Sequence, residues 1–420
     1  MGFPGLIDTD VCVVGAGIVG LAHAFEARRR GLEVAVLEQG ERAVGASVRN
    51  FGHGFLVAMA DGEALECALL ARERWIELGR RAGIEVLESG TVIVARHEDE
   101  LEVMAGAAHD DRRGASMITP SEVATLAPIP TDGLLGALHG RQDFRVDPRC
   151  AVAGLGSLLE ADPGAHVVWN AHVHTAEPGR VDAGRVAVRA PLIVICPGPD
   201  YVSLPPELRP HRAGLTRCRL QMLRVCAPGA RRYDPALLTG LSLLRYPAFT
   251  AQPGFRRVRA RIETERPELV AAGIHLIVTQ LAGGDLIVGD THDYADTVSP
   301  FRKGRLDHLM LAEAERLLGV DRLEVRERWQ GVYPSAPGDP FMVTDPLPGV
   351  AVVEVVSGVG MTAALGLAPR VLDGLIDGDR DGNRDGGGDG RATVAPRVAP
   401  ATPRTAAPPL HAEARADCGS

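Results

Sequence analysis

The sequence predicts an α/β chain on three observations. A glycine-punctuated strand–turn–helix–strand unit occupies residues 11–38, short apolar runs recur at 166–199 and near 350, and segments alternating apolar and polar residues fill much of 216–330. The first two describe a parallel sheet wound with helices, and the third describes an antiparallel sheet inserted into it. The expected division is 8–55, 140–215 and 335–377 for the first domain, and 56–139 and 216–334 for the second.

In the opening unit, Val11, Val13 and Val14 form a continuous apolar run, as in a strand buried on both faces. Gly15, Gly17 and Gly20 follow at once. In such a unit the first glycine permits the tight turn, the second lets a pyrophosphate approach the backbone, and the third lets the helix pack on the strand. The helix N-terminus, with Ala16 and Ile18 in the turn, offers free N–H groups to phosphate. Leu21, Ala24, Phe25 and Ala27 supply the helix, and Gly31 suits its C-terminal cap. A second strand, Val34 to Leu37, ends in Glu38-Gln39. An acid about 20 residues beyond the glycines accepts hydrogen bonds from ribose hydroxyls and repels a 2′-phosphate. The pattern identifies a Rossmann-type dinucleotide site without separating FAD from NAD.

A chain of 420 residues accommodates two domains with their own cores. No run approaches the roughly 20 apolar residues needed to span a bilayer, and Asp8 and Asp10 before the first strand argue against a signal peptide. The seven cysteines include no CxxC pair, which points to reduced thiols, no metal knot and a cytoplasmic setting. A net charge of −9 without a basic cluster argues against nucleic-acid partners. Residues 378–420 are rich in Gly, Asp and Arg and then in Pro and Ala; they read as a disordered tail.

The later segments add detail. "PLIVICPGP" at 191–199 is an apolar strand closed by Pro197-Gly198, and "PGVAVVEVVSGVGMTAALGLAPRVLDGL" at 348–375 is a turn, a strand, a glycine-rich turn and a helix. With the opening unit, "GASVRNFG" at 45–52 and "GRQDFRVDP" at 140–148, these pieces resemble the FAD-dependent oxidoreductases of the D-amino acid oxidase and glycine-sarcosine oxidase superfamily across most of residues 10–376. The resemblance implies a Rossmann-type FAD-binding domain with an inserted antiparallel-sheet α+β substrate domain, and FAD rather than NAD. It adds Ala46, Ser47, Arg49 and Asn50 of the GAS-type loop to the cofactor contacts. Val173 and the pair Pro197 and Gly198 join them, as do Gly358, Gly360, Met361 and Thr362 before the last helix.

The resemblance also marks departures. Relatives that oxidise α-amino acids grip the carboxylate with an arginine in a W-x-G-x-R-P-like motif; this chain reads "WQGVYP", with Tyr333 in the arginine's place. Where sarcosine oxidases attach flavin through a cysteine this chain has Gly331, and where dimethylglycine dehydrogenases attach it through a histidine it has Arg49, so the expected FAD is non-covalent. The oxygen-activating lysine of the sarcosine oxidases corresponds to Thr362, and Lys303 is the only lysine in the chain. Oxygen or another electron acceptor is therefore left open, with oxidase favoured over dehydrogenase. Four residues are expected to face the substrate. His292 in "GDTHDY" would hold the amine or accept its proton near neutral pH, and His53 after "NFG" would lie near the flavin ring. Tyr333 would orient the substrate. Arg145, with Arg49, would grip an anion from another direction.

The wording of "RNFG", "RVDPR", "GDTHDY" and "WQGVYP" is closest to a phosphonate-breakdown subgroup of the superfamily. The function this implies is oxidation of a small primary or secondary amine, 2-aminoethylphosphonate or its N-methyl derivative, to an imine and then an aldehyde. The alternatives are a carboxylated amine or a 2-hydroxy acid as substrate, and a flavoprotein component of a larger RNA-modifying or electron-transfer assembly.

Overall fold

The computed structural model describes residues 5–229 and 231–382. Its helical and strand elements up to Arg380 belong to one compact unit. Of the segment 378–420 expected as a disordered tail, residues 378–382 complete the last helix, Gly360–Gly382, and the rest lies outside the described residues.

The opening unit folds as its sequence dictates. Val11–Val14 and Val34–Leu37 pair in parallel around the Ile18–Arg29 helix. They lie inside a six-stranded sheet ordered Phe341–Leu347, Val350–Val355, Leu192–Ile195, Val11–Val14, Val34–Leu37, Ala165–Val168. All neighbours are parallel except the outer pair, Phe341–Leu347 with Val350–Val355. The central strands are apolar on both faces because both are covered. Helices Ile18–Arg29, Glu63–Ala82, Pro148–Glu160 and Gly360–Gly382 pack on one side, and a four-stranded sheet built from Gly5–Asp8 and residues 175–189 covers the other. Glu63–Ala82 falls inside the segment expected for the substrate domain. Its Leu65, Trp75 and Leu78 nevertheless sit in the nucleotide-side core, and the Trp75 indole donates to the Met361 carbonyl at 2.8 Å.

The second sheet has nine strands and draws on residues 91–140 and 216–335. It is antiparallel apart from one parallel pair, Ala236–Leu238 beside Thr91–Ala95, where the chain re-enters the sheet after a long excursion. Its longest pair joins Thr216–Cys226 to Glu324–Ser335 and sets Cys218 opposite Tyr333 and Leu220 opposite Gly331. That register delivers the "WQGVYP" strand to the 45–52 loop: the Trp329 indole donates to the Arg49 carbonyl at 3.2 Å.

Candidate active site

A cavity of about 840 Å³ runs from the Gly15–Gly20 turn, past the ends of the central strands, to Tyr333 under the second sheet. Such a volume falls within the range of small-molecule sites. Its nucleotide end is built by the backbone. Gly15 has φ +99°, and a Cβ there would stand 2.5 Å from the Cys196 carbonyl oxygen; a Cβ on Gly20 would strike the Gly15 carbonyl. Both positions therefore need glycine, the first for conformation and the second for close packing of helix on strand. The Ile18 N–H at the helix start donates to Ser47 Oγ at 2.8 Å, so the GAS-type loop closes over the turn where phosphate would lie. Glu38 accepts from the Ala16 N–H at 2.8 Å through one oxygen and from the Gly40 N–H at 2.9 Å through the other. These bonds fix the carboxylate at the strand end, facing the turn.

Of the sequence-predicted cofactor residues, Gly15, Gly17, Ile18, Gly20, Glu38 and Gln39 line this cavity; so do Ala46, Ser47, Arg49 and Asn50. Val173, Pro197, Gly198, Gly358, Gly360, Met361 and Thr362 complete the wall, while Ala16 contributes the N–H bonded to Glu38. Gly331 and Arg49 are brought together, since a Cβ at Gly331 would lie 3.1 Å from the Arg49 carbonyl oxygen. Neither side chain can form the thioether or imidazole bond used for covalent attachment. Thr362, in place of a lysine, joins the final helix to the His53–Phe55 segment: its hydroxyl donates to the His53 carbonyl at 3.3 Å and accepts from the Phe55 N–H at 3.1 Å.

At the far end, Tyr333 is buried and lines the cavity as expected. What sequence reasoning missed is Arg245. It follows the short helix Gly240–Leu244, and its guanidinium donates to the Tyr333 hydroxyl at 2.6 Å, the Tyr294 hydroxyl at 3.0 Å and the Ser357 carbonyl at 3.1 Å. The guanidinium is charged at any physiological pH, yet among the described residues no carboxylate lies within ion-pair distance of it. Tyr246 lies against it, with the guanidinium 5.7 Å from the ring centroid. Burial pushes the Tyr333 and Tyr246 phenols up, so both stay neutral hydrogen-bonding groups. A cation therefore reaches the position where the motif arginine is absent, from a different element.

Arg145 does not line this cavity. Its guanidinium is held by the carbonyls of Gln280 and Asp234, with Tyr233 at 3.5 Å, which makes it a structural clamp between segments rather than an anion grip. Arg49 does line it, but its Nη1 donates to the Gln330 carbonyl at 3.3 Å. His53 is buried in the wall, stacked on Phe55 with ring centroids 4.6 Å apart, and its Nε2 bonds the Thr91 hydroxyl at 2.7 Å. Burial and then the Arg145 charge drop His53 to about 3, so it is neutral.

His292 lines the cavity, its Nδ1 donating to the Gly273 carbonyl at 3.0 Å and its ring packed edge-on against His275 at 4.7 Å. Burial, then Arg245 and His275, hold it well below the usual histidine range. Accepting a substrate proton near pH 7, the role expected from the sequence, does not suit such a group. Two buried acids in the cavity wall were also missed. Asp290 is pushed up to about 7 by burial, and its Oδ1 has no hydrogen-bond partner. Glu354 is pushed up to about 8 by burial, and both its oxygens lack partners. Asp290 stands in "GDTHDY" beside the histidine that drew the attention, and Glu354 carries no motif signal; strand-end position was the available clue.

A parallel sheet with a glycine turn, an acid fixed at the next strand end and a second sheet roofing the cavity is a dinucleotide-binding architecture. The chain belongs to the FAD dependent oxidoreductase family, whose model matches residues 10–372. Its cofactor is FAD. One component of the anaerobic glycerol-3-phosphate dehydrogenase of Escherichia coli K12 is 28% identical over 171 residues, 39% of this chain and 30% of that protein; the matched stretch thus spans about a third of the curated relative's length. Among solved structures, L-proline dehydrogenase from P. horikoshii superposes with a TM-score of 0.72 at 16% identity, covering 90% of this chain and 95% of that one. Glycine oxidase from Geobacillus kaustophilus superposes at 0.67 with 19% identity, covering 88% and 95%. Among the described residues, no helix is long and apolar enough to cross a membrane, and no group of metal-ligating side chains is assembled.

Proposed function

We propose that this protein oxidises a small primary or secondary amine carrying an anionic end, with an aminophosphonate, 2-aminoethylphosphonate or its N-methyl derivative, as the preferred substrate. The observation that carries this reading is Arg245, a cation facing the cavity, positioned by two tyrosine hydroxyls and lacking a carboxylate partner among the described residues. A cation of this kind is completed by an anion supplied from outside the chain. Arg245, Tyr246 and Tyr333 together offer one guanidinium and two phenols at the same end of the cavity. Several donors around one point suit a tetrahedral phosphonate, with its three oxygens, better than a planar carboxylate matched by a single bidentate fork. The names of the relatives agree on an anionic substrate end, since glycerol-3-phosphate, proline and glycine all have one.

When bound, FAD takes up the two electrons released as the substrate C–N bond becomes an imine. The chain's own share is to hold the anionic end at Arg245, keep the amine close to the flavin, and exclude water under the second sheet. With Gly331 and Arg49 at the attachment positions, the FAD is held non-covalently. Loss of the motif arginine does not by itself argue against carboxylates, because Arg245 supplies a cation nearby. A carboxylated amine or 2-hydroxy acid therefore stands as the second reading. Anaerobic flavin bleaching separates the two without assuming that oxygen is the acceptor. 2-Aminoethylphosphonate or its N-methyl derivative is expected to reduce the flavin faster than glycine, sarcosine or D-alanine, and the reverse order would transfer the assignment to carboxylated substrates.

A further inference from the structure

Asp290 follows the Leu286–Gly289 strand, in "GDTHDY", and lines the same cavity as Arg245. It is 6% exposed, its Oδ1 has no hydrogen-bond partner, and its Oδ2 stands 3.8 Å from His292 Nε2. Leaving a buried carboxyl oxygen unmatched is costly. Asp143, a second buried acid, accepts from the N–H groups of Leu56 and Val57 through Oδ1 and likewise leaves Oδ2 without a partner, but it does not line the cavity, whereas Asp290 does. One cavity thus holds a cation without an ion-pair partner and two acids with unmatched oxygens, one on Asp290 and two on Glu354.

We infer that Asp290 is a catalytic residue for amine oxidation: its carboxylate receives the substrate's ammonium group and takes the N–H proton, while Arg245 holds the anionic end, so that the cavity selects dipolar amines. This rests on the amine reading above. In the step, the N–H bond breaks and its electron pair stays on nitrogen, while an O–H bond forms on the carboxylate. The ammonium and carboxylate become neutral amine and carboxylic acid. Nothing is oxidised or reduced in this transfer; it leaves the nitrogen lone pair that the subsequent oxidation requires.

The groups packed around Asp290 support the assignment. Arg245 and Tyr246 come from one loop, His275 from another segment, His292 from its own and Cys218 from a long strand, with Tyr294 and Tyr333 reaching the set through Arg245. The phenols of Tyr246, Tyr294 and Tyr333 are raised by burial, and the Cys218 thiol is pushed up to about 11. Burial drops His275 to about 3 and takes His292 well below its usual range. Asp290, at about 7, and Glu354, at about 8 in the same cavity wall, are the groups here that change protonation near neutral pH; of the two, Asp290 is the one that feels the Arg245 charge. A base that titrates near the working pH is the best compromise between being deprotonated and accepting a proton.

The test combines a pH profile with a binding comparison. In the wild type, the rate of anaerobic bleaching by 2-aminoethylphosphonate at subsaturating concentration should rise with an acid limb centred near pH 7. Asp290→Asn should lower that rate at pH 7.5 by about 10²- to 10⁴-fold and move the limb toward the amine's own range, about pH 10. Asp290→Glu should recover a near-neutral limb, which a merely structural role would not require. With the flavin reduced beforehand, so that nothing turns over, wild-type protein at pH 8 should bind 2-aminoethylphosphonate about tenfold or more tighter than ethylphosphonate. That preference should fade at pH 6, where Asp290 is protonated, and should be absent at pH 8 in the Asn variant. If Asp290→Asn does not fold, the same comparison at the two pH values in Glu354→Gln decides: a pH-dependent preference that survives there supports Asp290, and one that vanishes overturns its role. A yellow Asn variant with an unmoved limb, or a wild-type preference independent of pH, would overturn the role of Asp290 while leaving the amine reading in place. Wild-type flavin that no amine bleaches would overturn both.

Discussion

The two ends of the cavity are built by opposite strategies. At the nucleotide end the working groups are backbone N–H groups and one acid, placed by residues 15–47 within a single strand–turn–helix unit and the loop that closes on it. At the substrate end they are side chains from distant segments: Arg245 meets Tyr333 across 88 residues and Tyr294 across 49. The first kind of site needs particular residues at fixed local spacing, because only glycine tolerates the turn and the close packing. The second needs only that some chain segment deliver a cation to the right point. The difference teaches that a binding role can leave its usual motif while the electrostatic requirement stays, provided another element meets it.

The largest expected effect falls on the substrate end. Arg245→Met should cost about 2–5 kcal/mol in kcat/KM for an anionic amine, because truncation leaves the substrate's charge without its buried partner. Flavin content, read from the visible spectrum, should be unchanged. At the nucleotide end, Glu38→Arg removes the acceptor of the Ala16 and Gly40 N–H groups and of the ribose hydroxyls. FAD retention after dialysis should fall by the equivalent of about 1.5–3 kcal/mol, and a full flavin complement would mean that the opening unit has another role. Arg145→Met should separate structure from recognition. Leaving the Gln280 and Asp234 carbonyls unmatched should lower stability by about 1–3 kcal/mol in urea unfolding, with the order of substrate preference intact. The smallest effect is expected at His292. Burial holds its imidazole well below the usual histidine range, so His292→Gln should cost about 1 kcal/mol and should leave the acid limb of the pH profile where it is.

These contrasts also explain what was legible in the sequence. The glycine triplet, Glu38 and the strand ends were readable because each is dictated by local backbone geometry, and the structure brings all of them to one cavity. Tyr333 was readable through a motif, as the residue that replaces something. Arg245 was not, because it lies in an unpatterned "LLRYP" turn of an arginine-rich chain, and its distinction is the absence of a partner, which only three-dimensional neighbours reveal. Arg145 drew attention for its charge and proved to be a clamp on carbonyls for the same reason. Asp290 was passed over for His292 two residues later; histidine titrates near neutrality in water, but burial moves the histidine out of that range and the aspartic acid into it. Assigning the segments between the motifs to the second domain put Glu63–Ala82 there, while its apolar face packs in the nucleotide-side core, since an amphipathic helix does not announce which core it will join.

The central claim is that Arg245 supplies the anion grip which the "WQGVYP" strand lacks. The most direct test is the ratio of anaerobic bleaching rates for 2-aminoethylphosphonate and for ethylamine, which carries no anionic end, measured at equal subsaturating concentrations in wild-type protein and in Arg245→Met. The account expects the wild type to favour the phosphonate by about 30-fold or more, the equivalent of about 2 kcal/mol or more, and expects the variant to lose that preference while still being reduced by ethylamine. A yellow Arg245→Met protein that keeps the wild-type ratio would contradict it.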